Sequence, residues 1–226
     1  MTILDMTTDV RTKRRRGRPP KTEDSSKADQ LLQAALTTFA EIGYEGAGLR
    51  QIAARVGVDV AMINHFFGSK LKLWEAVIDH TAQKVINAVQ STACQDDASL
   101  SSRERLRRAM LQLIDVMCDA PLMAQFVVRE SIQEHARFEY MYLRLVKPMH
   151  DLLTPMIRDA VEAGEIGDVD PDFMFFTFTA SVSMAIAARR YSYRFSPVIE
   201  SDERFRHELK CVLQQPFVAQ PVASTP

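Results

Sequence analysis

Arg50, Asn64, His65 and Lys70 are the residues whose types and spacing best suit chemistry, and that chemistry is recognition rather than turnover. A guanidinium and an ammonium can hold phosphate oxygens. A carboxamide donates and accepts at once, so Asn64 can make a paired contact to adenine in a major groove. His65 beside it can donate or accept. Val60, Ala61, Asn64 and His65 are spaced to point outward from one short helix, with Phe66 following. There is no nucleophile–base pair, metal-ligand motif or phosphate-binding glycine loop, so a small helical enzyme is a poor fit. The five histidines (His65, His80, His135, His150 and His207) lack the close pairing of zinc ligands, and no metal or cofactor is expected.

Two short helices must position these groups. Leu49, Ile52, Ala53 and Val56 fall at i, i+3, i+4 and i+7 and form one apolar stripe, leaving Arg50, Gln51 and Arg55 off it. Gly57 follows, where a helix end favours positive φ. Val58 turns inward and Asp59 is suited to cap the next helix. In that helix Ile63 and Phe67 should face the core. Ser69 can cap a third helix beginning at Lys70. Two helices about a glycine turn also describe a plain αα-hairpin. As a helix-turn-helix, the same unit would lay Asp59 to Phe66 in the DNA major groove.

A basic tract lies upstream. Residues 11–21, RTKRRRGRPPK, hold seven Lys or Arg and no acid. Such a tract repels itself and has nothing apolar to bury, so it should be disordered alone. Its core, Arg16-Gly17-Arg18-Pro19, resembles an AT-hook. Arg16 and Arg18 could enter a narrow A·T-rich minor groove. A solvated tail or a targeting signal is the plainer reading. A secretory signal does not fit, because no apolar stretch follows the charges.

Residues Leu32 to Leu73 resemble the N-terminal domain of TetR-family transcriptional regulators. The matching pieces are AALTTFAEIGYEGAGLRQIAARVGV and MINHFFGSKLKLW. Ala47-Gly48 stands where the family usually has Thr-Ser, Asn64 where a Tyr is common and Phe66 where a His is common. The resemblance implies an all-α protein: a three-helix, homeodomain-like helix-turn-helix domain, then a larger helical domain that dimerises and binds small ligands. The expected division is a basic arm (1–25), a DNA-binding domain (26–72), a ligand-binding and dimerisation domain (73–214) and a flexible tail (215–226).

Composition agrees with one or two soluble helical domains. The chain has 226 residues and 46% apolar content. Net charge is −1, but residues 1–25 carry +3, leaving −4 for the rest. A basic arm on a mildly acidic body suits contact with DNA at one end. Cys94, Cys118 and Cys211 are scattered and odd in number, which suits a reducing cytoplasm. Helix patterns run over Ser26–Ile42, Lys70–Ser91, Arg103–Cys118, Leu122–Glu134, Phe138–Glu162, Asp170 to about Arg190, and Arg204–Leu213. Pro148 and Pro155 should kink or split the fifth of these.

Within Met174–Ala187, Ala180, Ser181, Ser183 and Ala185 would let a partner helix pack closely. A helix apolar on nearly every side must be covered all round, by the core of one monomer or by a second copy. Met123, Phe126 and Tyr142, with Arg129, His135 and His150 as polar groups, could line an adaptable ligand pocket or simply form core. The expected function is a cytoplasmic, homodimeric, ligand-responsive regulator, a repressor on a palindromic operator. The rival is an architectural A·T-rich DNA-binding protein in which the basic arm dominates.

Overall fold

The computed structural model describes residues 21–93, 99–132, 136–194, 196–197 and 200–217. Arg16, Arg18, Cys94 and His135 lie outside them. The elements are α1 (Lys21–Gly46), α2 (Leu49–Val56), α3 (Val60–Phe67), α4 (Lys70–Ala93), α5 (Ser102–Asp119), α6 (Pro121–Ser131), α7 (Ala136–Met141), a π-helical turn (Tyr142–Val146), α8 (Lys147–Glu162), α9 (Pro171–Ala187), α10 (Arg189–Ser192), α11 (Asp202–Leu213) and a 3₁₀ turn (Gln215–Phe217). No strand occurs among the described residues.

α1 begins five residues before the expected Ser26. Its fully buried face runs through Leu31, Ala35 and Phe39, so the inner position is Leu31, and Leu32 is only half-buried. The sequence ended this helix at Ile42, and at Gly43 the backbone leaves helical geometry (φ 75°, ψ 171°). That region is essentially open to glycine alone.

Two cores are built along the chain. The first gathers Leu31, Phe39, Ile52, Ile63, Trp74 and Ile78, and takes in Phe126, Met141 and Leu145 from later helices. The second gathers Leu106, Met110, Ile114, Leu153, Ile157 and Val182. α4 serves both: Leu73 to Ala82 belong to the first core, and Val85 and Val89 to the second. A boundary at 72/73 therefore falls inside the first core rather than between two bodies. The tail is anchored further than expected, since Phe217 is buried in the second core.

The prolines act unequally. Pro148 can neither donate nor tolerate the carbonyl four residues before it. The chain widens just upstream, and the Lys147 N–H bonds the Tyr142 carbonyl five residues back. Pro155 sits inside α8 without splitting it, because it is exposed and removes one donor on the solvent side. Pro121 occupies the first turn of α6, where no donor is needed.

Candidate nucleic-acid interface

α2 and α3 are short, so their ends decide their placement. Gly48 caps α2 with its backbone only: its carbonyl accepts from Gln51 N at 3.0 Å and Ile52 N at 3.1 Å. Ile52 and Ala53 are buried, while Leu49 and Val56 pack at the margin of the core. Gly57 is left-handed (φ 69°), and its N–H closes α2 on Ala53 and Ala54. Asp59 Oδ1 accepts the Ala61 N–H at 2.7 Å, which fixes the start of α3 and contributes about 1 kcal/mol. Ile63 is fully buried and anchors α3. Ser69 Oγ accepts from Lys72 N at 3.2 Å and starts α4.

The outer face of α3 is then set by exclusion. Ala61, Asn64 and His65 are exposed. Val60 and Phe66 are half-buried and touch the first core, so Val60 is turned further in than its spacing suggested. His65 lies edge-on to Phe66, with ring centroids 5.4 Å apart. Arg50 is exposed on the first turn of α2. The Lys70 ammonium lies 4.4 Å from the Tyr44 ring centroid and 3.5 Å from the Glu45 carbonyl. Arg55, off the apolar stripe, is paired with Glu41 of α1. These groups sit on one small unit: a short helix with an amide and an imidazole outward, flanked by cations.

Of the six residues considered for a ligand, the five that are described do not converge. Met123 is buried in the second core, whereas Phe126 is fully buried in the first, between Phe39 and Trp74. The Arg129 guanidinium donates to the Glu41 carbonyl at 3.1 Å. Tyr142 is exposed and stacked on Phe138. His150 Nε2 meets Asp172 at 2.7 Å, tying α8 to the start of α9. Sequence reasoning missed Asp79 and Arg137, and gave no sign that Tyr44, Glu130 and Tyr140 join the helix-turn-helix unit to the later helices. Arg137 pairs with Glu45 at 3.2 Å and with the buried Glu130 at 3.6 Å. Tyr140 donates to Asp79 at 2.9 Å. The Arg137–Glu45 and Tyr140–Asp79 partners lie 92 and 61 positions apart in sequence, and no local pattern announces them.

α9 presents an apolar stripe outward. Phe173, Phe176 and Met184 are 64%, 61% and 49% exposed. Of the small residues noted in this helix, Ala180 and Ser181 share the exposed side, while Ser183 is buried and Ala185 half-buried. Among the described residues no single helix is long and apolar enough to cross a membrane.

An all-helical chain with a capped, outward-facing α3 beside a glycine turn has the build of a helix-turn-helix regulator. The family described as bacterial regulatory proteins, tetR family, matches residues 31–77. Over this N-terminal stretch the chain is similar to the TetR family.

It is 29% identical over 138 residues to the transcriptional dual regulator CecR of Shigella flexneri, covering 57% of this chain and 61% of that one. It is 33% identical over 102 residues to the transcriptional activator FasR of Mycolicibacterium smegmatis, covering 45% of this chain and 44% of that one. It is 26% identical over 157 residues to the transcriptional regulator RutR of Escherichia coli K12, covering 70% and 72%. The matched stretch thus spans less than two thirds of the first two relatives.

Among solved structures, a tetR-family regulatory protein from Rhodococcus RHA1 superposes with a TM-score of 0.67 at 16% identity, covering 85% of this chain and 98% of that one. PfmR from Thermus thermophilus gives 0.64 at 19% identity, covering 85% and 96%. Both likenesses establish the fold alone. The named relatives are transcriptional regulators.

Proposed function

We propose that this protein is a ligand-responsive transcriptional repressor that binds a palindromic operator as a homodimer, in the cytoplasm. The observation that carries the reading is the outward face of α3, where Ala61, Asn64 and His65 are exposed on a helix pinned by Asp59 and Ile63. α3 enters the major groove, Asn64 and His65 read base edges, and Arg50 and Lys70 hold phosphates on either side. Arg16 and Arg18 follow the adjacent minor groove.

Dimerisation is supported by the exposed Phe173, Phe176 and Met184 of α9, together with Val212 on α11, which is 64% exposed. A second copy would cover that stripe, and its twofold axis would match a palindromic site. An effector held in the larger domain would change the separation of the two reading heads and so their fit to successive grooves.

The test is selection of an operator from random DNA with the full chain, followed by Asn64→Ala with His65→Ala. The pair should weaken binding to the selected operator by roughly 10- to 100-fold, as lost base contacts do, and leave thermal stability unchanged. Undiminished affinity would remove α3 as the reading helix.

A further inference from the structure

We propose that Arg137, with Arg129 at the Gly43 break, is the positioning residue that sets the angle of the DNA-reading head on the body. This rests on the paired-head reading above.

The joint is built at the end of α1. Gly43 leaves helical geometry near the end of α1, where the negative end of the helix attracts cations. The Arg129 guanidinium fills this place, donating to the Glu41 carbonyl at 3.1 Å. Glycine at 43 is what lets it approach: a Cβ there would lie 3.2 Å from Arg129 Nη1.

Just beyond the break the Arg137 guanidinium lies 3.9 Å from the Tyr44 ring centroid and 5.9 Å from that of Trp74. Its Nη1 meets Glu45 at 3.2 Å and its Nε lies 3.6 Å from Glu130, which is 1% exposed. One side chain therefore touches the end of α1, the start of α4 and the buried acid of α6. A carboxylate this deep needs a cation near it, and a flat guanidinium can face acid and aromatic ring together in a way an ammonium does not. α6 and α7 cannot turn against α1 without separating these groups. The head's angle is thus held by discrete contacts rather than by a smooth slide of apolar surfaces.

The experiment measures spacing tolerance. Full-length protein is titrated with synthetic operators whose half-sites are moved apart or together by one or two base pairs, and with a single half-site. Wild type should lose about tenfold or more per altered spacing, since the two heads must meet successive grooves. Arg137→Ala should flatten that dependence to within about threefold and keep single-half-site affinity within about twofold.

Because the alanine leaves Glu130 without this cation, Arg137→Lys provides a second arm that keeps the charge and loses the flat stack. It should fall between the two. If Arg137→Ala folds, as judged by circular dichroism, and keeps wild-type spacing discrimination, the proposal is overturned. If only the lysine variant folds, wild-type discrimination in it overturns the proposal equally. A wild-type protein indifferent to spacing would instead overturn the paired-head reading, and the joint's role with it.

Discussion

The Arg129 guanidinium bonds the Glu41 carbonyl at 3.1 Å across 88 positions of sequence. Two residues later the backbone at Gly43 leaves helical geometry, and the missing side chain there leaves room for Arg129.

Gly43→Ala should therefore cost more than Gly57→Ala. At position 43 the conformation is hostile to any side chain, costing about 1–3 kcal/mol, and the new methyl also meets Arg129. At position 57 only the left-handed φ of 69° is lost, with open space around the new atom, a cost of about 1 kcal/mol. Thermal melts should show a Tm lower by about 2–4 °C for Gly57→Ala and a larger drop for Gly43→Ala. Equal shifts would mean that Arg129 yields without loss.

The same pair of glycines marks what could be read from the sequence. Gly57 was legible because its neighbours are local: Leu49, Ile52, Ala53 and Val56 carry a helical stripe up to it, and Asp59 starts the next helix two residues on. Ser69 was legible for the same reason. Gly43 was legible as a helix end, but its purpose was not, since Arg129 approaches from α6. Likewise Arg137 meets Glu45 and Tyr140 meets Asp79 only because α7 returns to α1 and α4. In α3 Val60 is turned partly inward, and eight residues gave periodicity little to work with. Phe126 and Met123 have similar chemistry and lie three residues apart, yet they serve different cores. Composition has no means of dividing them.

Acid titration should single out Glu104. Its carboxylate takes a bidentate pair of hydrogen bonds from Arg107 at 2.7 and 2.8 Å and one from Arg108 at 3.0 Å. These hold its pKa down at about 2, the Arg107 bonds foremost, against burial, which raises it. A carboxylate depressed on folding stabilises fully above its ordinary value, and that contribution fades as pH falls through the folded value. Glu104→Gln should therefore lower the urea midpoint at pH near 6, and the gap from wild type should narrow between about pH 4.5 and pH 2. A gap that stays constant over that range would show that the arginines do not hold the carboxylate in solution.

Deleting residues 11–21 should change how salt affects DNA binding more than which DNA is chosen. The tract carries seven Lys or Arg. Each phosphate it neutralises adds about 0.9 to the slope of log K against log salt, so the slope should fall by at most about six. The shortened protein should still prefer its selected operator over random sequence, because α3 is intact. Loss of that preference would favour the architectural reading, in which the arm dominates.

The wide turn at Tyr142–Val146 stands where one continuous stretch of helix passes from one core to the other: Met141 and Leu145 serve the first, Met149, Leu153 and Ile157 the second. In an ordinary α-helix an extra residue would swing everything downstream by about 100°. Here the surplus is stored in a single loosened loop of backbone, so both flanks keep their bearings. A chain shortened by one residue in this stretch, with Pro148 replaced, could close into a regular helix and leave both interiors aligned. This is a place where the protein's length can drift while its shape holds still.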